Sequence, residues 1–232
     1  MLIAKILYLL SKPIVRTYVE TLLHMDVFRH EALPIGPKII AANHPSTTDP
    51  FYVAAMVRHQ SFILINNLLF QVPGLGMYLR HSQHIPVQIG QGQAAVDRAA
   101  GLLKDGRTVI IFPEGDLSPL DGGCHPARTG VGRLALMSGA PVVPVGIHLL
   151  RERMHNIRST VAGQVEIGRW YLNGPYHVTV GRPLVFTGDV SDRPHVRQVS
   201  NIVMHHIIEL VRESENRTKQ TPAAFPSASS FA

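Results

Sequence analysis

Cysteine is almost absent. Cys124 stands alone among 232 residues, so the sequence has no intrachain disulfide framework and no multi-cysteine metal site to offer. Nothing around that thiol, in a Gly-rich loop, lowers its pKa, which argues against a catalytic cysteine. Long apolar runs are also missing. The N-terminal MLIAKILYLL is 10 residues long before Ser11, Lys12 and Pro13, whereas a bilayer span needs roughly 20. No small-residue cleavage site follows it, so a signal peptide is not expected. Zinc-ligand spacing, an aromatic RNA-binding signature and a basic recognition helix are absent, which weighs against nucleic acid. Ser46 and Ser118 lie outside any Gly-x-Ser-x-Gly elbow and read as loop or cap residues rather than nucleophiles. Internal repeats are lacking as well.

Charged residues make up only 16% of the chain against 45% hydrophobic ones, enough for one domain to bury a sizeable core. The 22 Lys and Arg exceed the 16 Asp and Glu, a net charge of +6, which favours anionic partners. Because the basic residues are scattered, a membrane surface or a phosphate group is expected rather than a polynucleotide. In a helical N-terminus, Lys5, Lys12 and Arg16 share one face while Leu2, Ile3, Ile6, Leu7, Leu10 and Ile14 fill the rest. That pattern predicts interfacial helices over residues 1–24, cations toward acidic headgroups, with packing on the core as the other reading.

Strands are predicted at Lys38–Asn43, Phe62–Ile65, His84–Gln88, Arg107–Phe112, Val142–Ile147 and Tyr176–Val180. Helices are predicted at Pro50–Arg58, Leu75–Arg80, Gln93–Lys104, Gly130–Ser138 and Asp192–Arg212. Alternation of this kind implies a single α/β domain over 25–213, a mostly parallel central sheet flanked by helices. Residues 214–232, rich in Ser, Ala, Pro and Thr, are expected to be a disordered tail.

Two segments carry chemistry. In Asn43-His44-Pro45-Ser46-Thr47-Thr48-Asp49 a histidine and a carboxylate follow a strand and precede a helix, at the sheet edge where α/β proteins place ligands. Their spacing is not a same-face helical spacing, so His44 meets Asp49 only if the intervening residues turn. The pair would then be a base and the carboxylate that orients it. Two other readings stay open on spacing alone: Asp49 before Pro50 as a helix N-cap, or two ligands of a metal lacking an obvious third. Phe112-Pro113-Glu114-Gly115-Asp116-Leu117-Ser118 leaves a second strand at the same edge, where Gly115 permits close backbone approach. His205 and His206, being adjacent, are expected on different helix faces.

Together these segments resemble the glycerolipid acyltransferase family that includes 1-acylglycerol-3-phosphate O-acyltransferases. The resemblance runs from Lys38 to Ile147 through Asn43 to Asp49, Gly74-Leu75-Gly76 to Arg80, Phe112 to Ser118, and Ala140-Pro141 to Gly146. It implies that His44, held by Asp49, deprotonates an acceptor hydroxyl as that hydroxyl attacks an acyl thioester. Acyl-CoA or acyl carrier protein would serve as co-substrate, with neither metal nor bound cofactor. Glu114, Gly115 and Ser118 then hold a lysophospholipid acceptor, with Arg80 and Arg128 supplying charge. Amides near Gly115 are candidate oxyanion donors. Location is implied as peripheral or monotopic on the cytoplasmic face of a membrane. Two departures matter. Leu117 stands where members acting on lysophosphatidate carry an arginine, and Gln88 stands where a charged residue is frequent. A glycolipid or ornithine-lipid acceptor, or a non-catalytic lipid-binding protein, are the alternatives.

Overall fold

Aliphatic runs without polar alternation make strands buried on both faces, and such strands pair in parallel beneath helices. In the computed structural model, which describes residues 2–88 and 90–220, Lys38–Ala42 (β2), Thr108–Ile111 (β5) and Val142–Leu149 (β6) are of this kind. Asp26–Arg29 (β1), Ser61–Asn66 (β3), Ile85–Val87 (β4) and Tyr176–Val180 (β9) complete a seven-stranded sheet of order β1-β9-β6-β2-β5-β3-β4. Every pairing is parallel except β6 with β9. The architecture is therefore the expected mostly parallel α/β sandwich.

Alternation along β2 divides the core. Ile40 and Ala42 point into a cluster with Val19 of α1 (Leu2–Thr21), Tyr52 and Val53 of α2 (Asp49–Met56) and Leu79 of α3 (Leu75–His81). Ile39 and Ala41 point the other way, onto α4 (Gly92–Lys104), α5 (Gly130–Ser138) and α6 (Arg193–Gln220). Each fully buried Ile or Leu contributes about 1.5–3 kcal/mol. Exposed ion pairs such as Arg16–Glu20 are screened by water and are minor beside that.

Three expectations change. The N-terminal helices are one helix, continuous through Pro13. Lys12 does not face headgroups: its ammonium donates to the carbonyls of Val57 and Arg58 and to the Tyr8 hydroxyl, because the C-terminal end of α2 presents open carbonyls to a cation. The last helix runs past Ser214 to Gln220. Ser214 is fully buried, donates to Gly146 O at 2.9 Å and meets the Thr179 hydroxyl at 2.8 Å, so the tail cannot begin there. Residues 221–232, the rest of that tail, and the Lys5 side chain lie outside the described residues. Two elements were not anticipated: the edge strand β1, and a two-stranded hairpin of β7 (Met154–Val161) and β8 (Gln164–Tyr171) separate from the main sheet.

His84 immediately precedes β4 and is 7% exposed, and its Nδ1 accepts the Ile63 amide at 3.3 Å. Only a neutral ring can accept there, and burial lowers its pKa from 6.5 to about 4. A depressed folded pKa means stability that is complete above the unfolded value and is lost as pH falls. Urea titrations should show wild type losing on the order of 3 kcal/mol as pH drops from 6.5 through about 4. His84→Gln should flatten that dependence, and equal slopes for both proteins would contradict it.

Candidate active site

β2 lies between β5 and β6, and its exit at Asn43 is held by both sides of one amide. Asn43 Nδ2 donates to Ile147 O at 2.9 Å and its Oδ1 accepts Ile147 N–H at 2.7 Å, extending the β6 pairing by a side chain. The chain then leaves the sheet with His44 aimed at the carboxyl edge, beside the loop that leaves β5.

The turn required for His44 to reach Asp49 is present. Asp49 N–H donates to Ser46 O at 3.1 Å, and His44 Nδ1 stands 3.1 Å from Asp49 Oδ2. Asp49 is fully buried and takes two further donors, the Ser46 amide at 2.7 Å and the Tyr176 hydroxyl at 2.8 Å. Burial raises the Asp49 pKa, while His44, Ser46 and Tyr176 pull against it. Tyr176 is itself held protonated, far above its ordinary value, by burial and by the charge of Asp49, so it stays a donor. As an ionised carboxylate only accepts, the proton of His44 belongs on Nδ1 and Nε2 carries the free lone pair. The ring stacks on Phe112 at 4.3 Å between centroids, and 18% of its side chain remains exposed. Asp49 is not the cap of α2: Thr48 holds that position and the Asp49 oxygens turn back to the loop.

Glu114 has a different surrounding. At 2% exposure, its Oε1 accepts the His44 amide at 3.0 Å and the Ser118 hydroxyl at 2.6 Å, and its Oε2 accepts the His125 amide at 2.6 Å. Ser118 Oγ also accepts from the His44 amide at 3.2 Å, and Ser118 N–H returns to His44 O at 2.8 Å. Glu114 and Ser118 therefore brace the histidine loop from below, with their polar atoms committed to protein partners. Gly115 has φ +66°, and a Cβ there would lie 2.5 Å from the Arg128 side chain, so Arg128 crosses the turn because residue 115 has no side chain. The amides of Gly115, Leu117 and Ser118 are spent on Phe112 O, Asp116 Oδ1 and His44 O. They are not free for an oxyanion.

Arg80 sits in the last turn of α3 and donates to Phe70 O, and none of its hydrogen bonds joins the His44 network. His205 and His206 both reach Glu209, at 3.2 and 3.5 Å, because they precede it by one helical turn. Cys124 is half-buried, and burial with the nearby charge of Glu114 pushes its thiol up to about 12.

The hairpin adds residues that the motifs did not indicate. Thr47 N–H donates to Arg169 O at 2.8 Å and Thr47 Oγ1 accepts Arg169 N–H at 2.9 Å. Ser46 Oγ donates to the same carbonyl at 3.2 Å, and the Tyr52 hydroxyl donates to Tyr171 O at 3.0 Å. The Arg169 guanidinium donates to Ser118 O, and Arg151 Nη1 donates to Pro119 O and Leu120 O at 2.5 and 2.9 Å.

A histidine backed by a buried carboxylate thus stands at the carboxyl edge of a mostly parallel sheet, the place where α/β proteins hold their ligands. A family model described as Acyltransferase matches residues 24–148, and the chain belongs to that family. It is 32% identical over 119 residues to a 1-acyl-sn-glycerol-3-phosphate acyltransferase of Pseudomonas aeruginosa, covering 50% of this chain and 46% of that one. Over 123 residues it is 28% identical to the enzyme of the same name in Bacillus subtilis, covering 52% and 60%. The chain thus spans about half the length of the curated relatives it matches. The crystal structure of the 1-acyl-sn-glycerophosphate acyltransferase of Thermotoga maritima shares the fold, with TM-score 0.62 at 22% identity over 89% of this chain and 79% of that one.

Tyr176→Phe leaves Asp49 Oδ1 without its donor in a dry site, and should cost about 1–3 kcal/mol of folding stability. Denaturant titration at neutral pH checks this, and an unchanged midpoint would remove Tyr176 from the network.

Proposed function

We propose that the chain transfers a fatty acyl group from acyl-CoA or acyl carrier protein to the free hydroxyl of a lysophosphatidate-like glycerolipid. The observation that carries it is His44 Nδ1 on the buried Asp49 carboxylate, with Nε2 left as a base at the mouth of the site. As the acceptor oxygen attacks the thioester carbonyl, its proton passes to Nε2. Asp49 stabilises the imidazolium. Collapse of the tetrahedral intermediate forms the ester and breaks the carbon–sulfur bond, and the thiolate takes the proton back from Nε2. No acyl-enzyme is required. Support for the glycerolipid acceptor comes from the family and from relatives whose names carry that activity.

Thiol release from acyl-CoA or acyl carrier protein in the presence of lysophosphatidate tests the reading, with the acylated lipid identified by mass. His44→Ala should lower turnover by roughly 10²–10⁴-fold while the fold is retained. Lipid product formed equally by wild type and variant would overturn the base assignment.

Among the described residues no helix is long and apolar enough to cross a membrane. α1 nonetheless leaves Ile3, Ile6, Leu10 and Ile14, spaced by three and four residues, between 46% and 70% exposed. A helix with one bare apolar face fits the membrane interface, where the lipid acceptor resides. Replacing Ile6, Leu10 and Ile14 by Ser should abolish co-sedimentation with anionic liposomes. Unchanged sedimentation would refute the contact.

A further inference from the structure

The loop that follows the buried brace reads Asp116-Leu117-Ser118 and brings no cation of its own to the site. Tertiary structure brings two. Arg151, from the short helical turn before β7, and Arg169, from β8, each spend Nη1 on carbonyls of Ser118 to Leu120. A guanidinium carries five N–H donors in a planar fork suited to a phosphate, and the Nε and Nη2 donors of both arginines have no protein acceptor among the described residues. Neither arginine forms an ion pair with a carboxylate there, and both side chains are half-buried. Burial first, and then the field of Arg151, lowers the pKa of Arg169, so the two charges lie within reach of each other at some electrostatic cost. Asp116 and Glu114 offset that only partly, Glu114 being already filled by three donors.

We propose that Arg151 and Arg169 form a binding site for a phosphate group, and that the group is the phosphomonoester of the lipid acceptor. The assignment rests on the reading above for the acceptor, though not for the anion. Two half-buried cations with unfilled donors gain most from a dianion placed between them. They are anchored on the loop that continues from Glu114 and Ser118, and Ser118 is itself hydrogen-bonded to the His44 backbone. The hairpin lies beyond residue 148, where the family match ends, so this charge enters from a part of the chain that the family motifs do not cover. The phosphates of acyl-CoA are the competing source of the same chemistry.

Arg151→Gln, Arg169→Gln and the double variant of the full chain separate these cases. Calorimetric titration with glycerol 3-phosphate should show affinity falling about tenfold per arginine, roughly 1.4 kcal/mol each. The KM for lysophosphatidate should rise by a similar factor with the KM for acyl-CoA unmoved. Arg169→Lys should recover part of the glycerol 3-phosphate affinity, which a purely structural role for the arginine would not predict. Unchanged binding in a folded double variant overturns the site. A rise confined to the KM for acyl-CoA overturns the acceptor assignment. If wild type acylates no lysophosphatidate yet loses glycerol 3-phosphate binding in the double variant, the anion site stands and the acceptor reading above falls.

Discussion

A carboxylate removed from water must be surrounded by donors, and the Glu114 side chain meets that demand by gathering the His44 amide, the Ser118 hydroxyl and the His125 amide. Those three groups belong to the loop leaving β2, the loop leaving β5 and the stretch before α5. The two strands are already side by side, with Ile39 paired to Val109 and Ile40 to Ile110, but parallel pairing ends at the sheet edge and does not dictate where the loops go. The buried charge does. It ties the backbone of the histidine to the adjacent loop, and Phe112, the residue between β5 and that loop, supplies the surface on which the imidazole stacks.

A second buried carboxylate, Asp49, sets the orientation of the ring, and its surroundings show how distant parts of the chain converge. Tyr176 reaches it from β9, while the loop that carries it is tied to the β7–β8 hairpin at Arg169 and Tyr171. Burial works against ionisation of Asp49 and hydrogen bonding works for it. The His44, Ser46 and Tyr176 donors offset part of the cost of burying that carboxylate. The hairpin is tied to the same loop at Ser46 and Thr47, while Arg169 and, from the turn before it, Arg151 donate to carbonyls of Ser118 to Leu120.

Much of the fold was legible from local pattern. Unbroken aliphatic stretches within KIIAA and TVII marked central strands, and Gly130–Ser138 and Tyr176–Val180 coincide with the predicted spans. The hairpin was missed for a specific reason. Its loop is Ala162-Gly163, both at positive φ, and two-residue hairpin turns of that kind usually announce themselves with Asn or Asp in the first place. β1 is four mostly exposed residues, too short and too polar for a periodic signal. The last helix was cut short at Arg212 because the residues that follow are polar, yet Ser214 is buried through hydrogen bonds that composition does not reveal.

By itself the sequence determined the alternation of strand and helix, the turn that His44 would need in order to face Asp49, and the family to which the chain belongs, since each depends on residues close together in order or on motifs read directly. Only the tertiary structure decided that Glu114 and Ser118 brace the histidine loop, that Lys12 caps α2 instead of facing outward, and that Tyr176, Arg151 and Arg169 stand at the site. Those assignments depend on pairings across 32 to 127 residues. The chain's local periodicity has no term for such contacts. They arise when burial leaves a polar group with nowhere to turn except to whichever distant partner the packed sheet has brought within about 3 Å.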